Sequence, residues 1–249
     1  MKEAIKTIIL PVFHIIQKIL SVLKNHVLPV DSKKRPTGTT SYKIFCEEEI
    51  TAGYEHFKKY FYKAIFLERE KIREYAIKQA LRNDIGHEYQ YLEFGVYTGT
   101  SVNKFAQYLK GRPIYGFDSF KGLREDWVGH ELSFGTFDLD GKVPKLNKNV
   151  VPIKGWVQDT LPDYLKEHQP KINFVHMDMD TYESTKFVLE NIKPFLSKNS
   201  IIIFDELYNF AGWRVGEYKA LTEVFEEHEY RFLAFAKSSA QAVIQVIEE

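Results

Sequence analysis

The stretch HMDMDTY, residues 176–182, sets Asp178 and Asp180 two positions apart directly after the apolar run INFV. On an extended strand that spacing turns both carboxylates to one face. An unpaired carboxylate is costly to bury and tends to take up a proton instead. A second acidic pair, Asp205 and Glu206 in FDELYN, follows the apolar run SIIIF. If the two runs are neighbouring parallel strands, their tips lie about 5 Å apart, and Asp178, Asp205 and Glu206 converge. Three oxygen donors in one place suit Mg²⁺ or a similar hard cation, which keeps some positions for water. Such an ion also offsets clustered negative charge that would otherwise force a proton onto one acid. Capping of a helix or turn accounts for Asp180 or Asp205 singly, and poorly for three acids together.

Upstream, EFGVYTGTS at residues 93–101 places Gly95 and Gly99 after the apolar run YQYLEF and ahead of a helix that Ser101 is placed to cap. The pattern is G-x-x-x-G rather than the G-x-G-x-x-G of dinucleotide binders, and alone it also fits a plain strand-to-helix turn. Two acids narrow the reading. Glu93 stands at the tip of the first strand, within reach of a ligand amino group or the glycine turn, and Asp118 in GFDSF stands at the tip of the second. An acid at that second tip is placed to accept hydrogen bonds from ribose hydroxyls. Phosphate binders want positive charge at such a turn. Neither stretch carries a Lys or Arg, so the chemistry suits a cationic nucleoside such as S-adenosylmethionine.

These tips need a scaffold that lines them up. Short apolar runs alternate with helical stretches after residue 83: YQYLEF, a helix near 101–109, PIYGFD, a long loop, NVVPIK, a helix near 161–168, INFVHMD, a helix near 182–196, SIIIFD, a helix near 215–227, YRFLAFA and AVIQVI. Alternation of this kind implies βαβ units and a mainly parallel sheet with helices on both faces. The last two runs are joined only by KSSAQ, which suits an antiparallel hairpin at the sheet edge. In such sheets ligands sit beyond the carboxyl ends of the strands. The acids therefore form a polar rim. The loop at 121–148, with Trp127, Phe134 and Phe137, reads as a cover over the site together with Trp213.

Residues 54–82 contain no Gly or Pro and read as one long helix or two broken near the middle. Residues 31–45 read as a linker. Residues 1–30 are rich in Ile, Leu and Val, interrupted by Lys2, Lys6, Lys18 and Lys24. They read as an amphipathic helix packed on the core or on a second subunit, with peripheral membrane contact as the alternative. The resulting division is a helical extension at 1–85 and a catalytic domain at 86–249. Lys+Arg and Asp+Glu are equal at 34 each, which argues against nucleic acid as a partner. The single cysteine, Cys46, excludes an intrachain disulfide and fits a reducing, cytoplasmic setting.

In order, LEFGVYTGTS, GFDSFKGL, DW, GWVQDTLP, HMDMDTYEST and IIIFDELYN resemble the metal-dependent O-methyltransferases of the macrocin and mycinamicin type, which methylate macrolide sugars, over roughly residues 88–247. The resemblance implies a class I, Rossmann-like methyltransferase fold with seven strands in the order 3-2-1-4-5-7-6, S-adenosylmethionine as methyl donor and a glycan or small-molecule acceptor. By that resemblance Asp178, Asp205 and Glu206 match metal-ligand positions. Glu206 departs from the more usual Asp there. Glu93, Gly95, Thr98, Gly99, Ser101, Asp118, Ser119, Trp156, Asp159 and Asp178 match cofactor-contact stretches, with Trp156 beside the adenine. The more distant catechol O-methyltransferases place a lysine base where this chain has Thr181, which favours an aliphatic, sugar-like hydroxyl. Asp178 is the expected proton acceptor. His176, deeper in the strand, is the second candidate and more simply a satisfied core histidine. A homo-oligomer is expected. The rivals are an NAD-dependent oxidoreductase, which lacks its glycine signature here, and a non-catalytic S-adenosylmethionine-binding subunit, for which converging acids have no use.

Overall fold

The structure is a computed structural model and describes residues 40–247. The chain divides into two compact units, residues 1–43 and 44–249. The expected amphipathic helix at 1–30 and most of the expected linker lie outside the described residues. The remainder of that linker is already helical, since α1 spans Ser41–Phe61.

The elements that follow are β1 (Ile65–Leu67), α2 (Arg69–Asn83), β2 (Gln90–Phe94), α3 (Thr100–Tyr108), β3 (Ile114–Asp118), β4 (Val150–Lys154), α4 (Val157–His168), β5 (Ile172–Met177), α5 (Tyr182–Ile192), a 3₁₀ turn (Lys193–Phe195), β6 (Leu196–Phe204), α6 (Glu217–Val224), β7 (Tyr230–Ala236) and β8 (Ala242–Val246). The strands form one sheet of eight in the order β1-β7-β8-β6-β5-β2-β3-β4. The sheet has eight strands where seven are expected, and the order differs by the added β1; numbered from β2, the other seven run 3-2-1-4-5-7-6. The added strand is β1, three residues with mostly exposed side chains that pair in parallel with β7. So short a segment, inside a stretch of good helix formers, has no alternation to betray it. It also breaks the helical stretch at 54–82 near its middle, the second of the two arrangements expected there. The β7–β8 hairpin is antiparallel as expected, but β1 covers β7, so the hairpin does not form the edge.

Helices cover both faces because each carries one apolar stripe. On α3 the buried apolar residues are Val102, Phe105, Ala106 and, just past its end, Leu109, an i, i+3, i+4, i+7 pattern. They share a core with Ile72, Ala76, Ile77 and Ala80 of α2, and with Tyr91, Phe174, Ile201 and Ile203 of the strands. The opposite face of the sheet holds Phe57 of α1 with Leu161 of α4, Val188 and Leu189 of α5 and Leu221 of α6. Along β6, Ile201 and Ile203 point to the first core and Ile202 and Phe204 to the second, the period-2 alternation of a strand buried on both sides. Residues 44–85, assigned by the sequence reading to an extension, thus contribute to both cores of the second unit. No helix among the described residues is long and apolar enough to cross a membrane.

Candidate active site

Parallel pairing of β3, β2, β5 and β6 brings their carboxyl ends side by side: Phe117 pairs with Phe94, Phe94 with Met177, and Met177 with Phe204. The next residues of each strand form one rim. Above it lies a cleft of about 500 Å³, within the range of small-molecule sites. Gly95, Thr98, Ser101, Asp118, Ser119 and Trp156 line it on one side, and Asp178, Asp180, Asp205 and Glu206 on the other. Of the expected contact residues, Glu93, Gly99, His176 and Asp159 do not line the cleft.

The glycine turn is set by crowding. Gly95 has φ +88°, and a Cβ there would stand 1.8 Å from the Asp178 carbonyl oxygen. Only glycine allows β2 and β5 to approach so closely. Asp118 then fastens the turn: its Oδ2 accepts from the Val96 and Tyr97 backbone N–H groups at 2.8 and 2.7 Å, and its Oδ1 accepts from Phe120 N–H at 2.6 Å. The side chain read as a ribose acceptor therefore already holds the turn, although its carboxylate still borders the cleft. Ser101 does not cap α3. It lies within the helix and donates to Glu93 Oε1 at 2.7 Å. Gly99 is the N-cap residue, with φ +81°. Asp159 is exposed in the first turn of α4, where it complements the helix dipole.

Behind the rim lies a buried charge network. His176 and Glu93 are wholly buried. His176 Nδ1 stands 3.3 Å from Glu93 Oε2, and its Nε2 stands 3.3 Å from Asp205 Oδ1. Burial lowers the His176 pKa, but the Glu93 and Asp205 carboxylates outweigh it and raise it to about 10. His176 lies between two carboxylates and does not border the cleft, so no acceptor hydroxyl reaches its ring and the structure does not support it as the base. Arg73 completes the network: Nη2 donates to Asp205 Oδ1 at 2.6 Å, while Arg69 Nη2 donates to Asp205 Oδ2 at 3.2 Å. Gln241 also donates to Asp205. Burial pushes Asp205 up, but His176, Arg73 and Gln241 hold it well below the usual carboxylate range.

The remaining acids lack such partners. Burial, then the charge on Asp205, pushes Asp178 up to about 7. Burial and neighbouring acids also raise Asp180 and Glu206 well above their usual values. Oxygens of Asp178, Asp180 and Glu206 lie within 4.8 Å of one another, as do ligand atoms of His176, Asp178 and Asp205. Glu206 Oε2 is shut from solvent without a hydrogen-bond partner. An orphaned carboxylate oxygen among two more acids fits a hard divalent cation. The structure thus joins Asp178 and Glu206 of the expected metal set, adds Asp180 to them, and turns Asp205 toward arginine.

Three arginines, Arg69, Arg73 and Arg124, line the cleft. This corrects the expectation of a site without nearby basic residues, which considered only the strand tips. The first two come from α2, far upstream, and Arg124 comes from the loop after β3, where it lies 5.5 Å over the Trp156 ring. Arg73 had a signal in the sequence, since it interrupts the apolar stripe Ile72, Ala76, Ile77, Ala80. Asp180 had one too, its two-residue spacing from Asp178; no side-chain hydrogen bond caps α5, so the capping role does not apply. From the 121–148 loop, Trp127 and Phe137 reach the cleft, whereas Phe134 is 70% exposed. Trp213 is not a cover. It is buried against Phe57, and its Nε1 donates to the Glu49 carbonyl.

Comparison with known proteins bears on this geometry. Residues 92–207 match a family model described as a methyltransferase domain. A solved structure of CalS11, a calicheamicin methyltransferase, is similar at 27% identity and a TM-score of 0.57, covering 92% of this chain and 90% of that one. An apo structure of CalS11, described as a TDP-rhamnose 3'-O-methyltransferase of calicheamicin biosynthesis, gives 26% identity and a TM-score of 0.52, covering 92% and 91%. The O-methyltransferase NovP shares the fold at 20% identity and a TM-score of 0.51, covering 72% of this chain and 79% of its own. No curated protein matches the chain. The methyltransferase domain spans β2 to the residues just after β6, which carry the glycine turn and the acidic rim, and with these similarities it makes the chain an S-adenosylmethionine-dependent methyltransferase.

Proposed function

We propose that the chain transfers a methyl group from S-adenosylmethionine to a hydroxyl of a sugar, on a nucleotide sugar, a glycosylated natural product or a surface glycan, assisted by a divalent cation. The observation that carries this reading is a single cleft in which the glycine turn with Asp118 and Trp156 faces Asp178, Asp180 and Glu206. The similarity to CalS11, whose described acceptor is a sugar hydroxyl of TDP-rhamnose, supports the acceptor class.

The chemistry follows from the residues. The donor's sulfonium carbon bond breaks as an oxygen–carbon bond forms, and the acceptor hydroxyl gives up its proton. Asp178, at the tip of β5 and bordering the cleft, is placed to take that proton. Trp156, with Gln158 and Leu123 beside it in the cleft, offers a flat apolar wall for the donor's base. Trp127 and Phe137 exclude water from above and hold the sugar in line with the methyl group, where positioning supplies much of the rate. Asp178, Asp180 and Glu206 would hold a divalent ion such as Mg²⁺ at the acidic rim, which would supply polarisation of the acceptor hydroxyl. Asp178→Asn is expected to lower kcat by about 10²–10⁴-fold without loss of S-adenosylhomocysteine binding. The assay follows S-adenosylhomocysteine release over a panel of nucleotide sugars and glycans, with and without EDTA. Unchanged turnover in the Asn variant would remove Asp178 from the chemistry.

A further inference from the structure

The metal-ligand set expected at the strand tips was Asp178, Asp205 and Glu206, yet two of these side chains live in different surroundings from the third. We propose that the divalent ion of this site is held by Asp178, Asp180 and Glu206, and that Arg73 and Arg69 withhold Asp205 from it. The inference rests on the methyl-transfer reading above and concerns which of the chain's own carboxylates serve it.

Asp205 is fully engaged. Arg73, Gln241 and His176 approach Oδ1, and Arg69 donates to Oδ2. Arg73 is only 8% exposed and depends on this carboxylate for its hydrogen bond. For Asp205 to turn to an ion, Arg73 would be left as a buried charge without its partner, an arrangement that is strongly unfavourable. The pairing is built into α2: Arg73 lies on the same stripe as Ile72, Ala76, Ile77 and Ala80, so burying that stripe delivers the guanidinium to the end of β6.

The other three acids show the opposite condition. Among the described residues no hydrogen bond is donated to the carboxylates of Asp178, Asp180 or Glu206. Their oxygens converge within 4.8 Å, a spacing from which all three can reach one ion. Asp180 reaches this place through a left-handed backbone, φ +63°. Glu206 brings a longer arm than Asp, and the extra methylene carries its Oε2 to the buried, unpartnered position noted above. Three hard oxygen donors leave coordination positions for an acceptor hydroxyl and water.

Mn²⁺ binding to the full-length chain, followed by EPR of the free ion, tests this without reference to turnover. Asp180→Asn and Glu206→Gln are each expected to weaken Mn²⁺ by about tenfold or more. Asp205→Asn is expected to keep near-native Mn²⁺ affinity and to lower the melting temperature, because Arg73 loses its charged partner. Loss of Mn²⁺ binding in Asp205→Asn with retention in Asp180→Asn would overturn the assignment, as would an unmodified chain that binds no Mn²⁺. Arg73→Lys, which keeps a cation beside Asp205, serves as a second variant where Asp205→Asn does not fold, and near-native Mn²⁺ affinity is expected of it too. S-adenosylhomocysteine titration of the same samples separates the two ideas. Nucleoside binding without Mn²⁺ binding sinks the ion assignment alone, and failure of both sinks the methyl-transfer reading.

Discussion

At the scale of single residues, the site is governed by where each acid finds its counter-charge. Glu93 and Asp205 share His176, and Asp205 also has Arg73, whereas Asp178, Asp180, Glu206 and Glu217 are pushed toward their protonated forms by burial. A raised acid holds its proton in the folded chain at a pH where the unfolded chain has already released it. The unfolded state then binds fewer protons, so stability falls as pH rises. For Asp178 the window runs from its ordinary value to about 7. His176, raised to about 10, acts in the same direction above its ordinary value. Asp205 acts in the opposite direction, but only below the ordinary carboxylate range. In EDTA the melting temperature is therefore expected to fall from about pH 5 to about pH 8, and Asp178→Asn is expected to flatten the slope. A melting temperature that rises over that range would show that these acids are paired.

At the scale of elements, positioning depends on close approaches that few residues allow. Gly95→Ala would put a methyl group 1.8 Å from the Asp178 carbonyl at a positive φ. The expected result is a loss of about 2–4 kcal/mol in urea unfolding and weakened S-adenosylhomocysteine binding, because β2 and β5 must part. The helix α1 belongs to the same cooperative structure. Phe57 is fully buried and its ring meets those of Tyr208, Trp213, Tyr218, Phe232 and Phe235. Phe57→Ala is expected to cost about 3–5 kcal/mol, measured by chemical denaturation. A cost near zero would mean that α1 contributes nothing to the core it shares.

At the scale of the whole molecule, the sheet is a frame that holds two half-sites in register. One half follows β2 and β3, the other β5 and β6, and both open on one cleft. A ligand that fills the donor half binds only the folded chain. S-adenosylhomocysteine at about a hundred times its Kd is expected to add about 2.7 kcal/mol of stability, read as a concentration-dependent rise in melting temperature. NADH over the same range is expected to give no rise, since the turn lacks the dinucleotide pattern. The reverse result would favour an oxidoreductase.

Much of this was legible in the order of residues. Strand tips ending in LEFG, GFD, HMD and IFD, with helices between them, specify a parallel sheet and an acidic rim, because strand and helix periods are local and burial on both faces demands continuous apolar runs. The β1 strand was not legible, since three residues with mostly exposed side chains carry no period. Neither was the fate of Asp205. Its spacing from Asp178 said only that the two tips are near each other. Tertiary structure alone decided that α2, arriving from before the glycine turn, presses Arg73 and Arg69 onto one carboxylate and leaves Asp178, Asp180 and Glu206 without a hydrogen-bonded cation. Charge pairing across a sheet depends on distance in space, and sequence separation does not encode that distance.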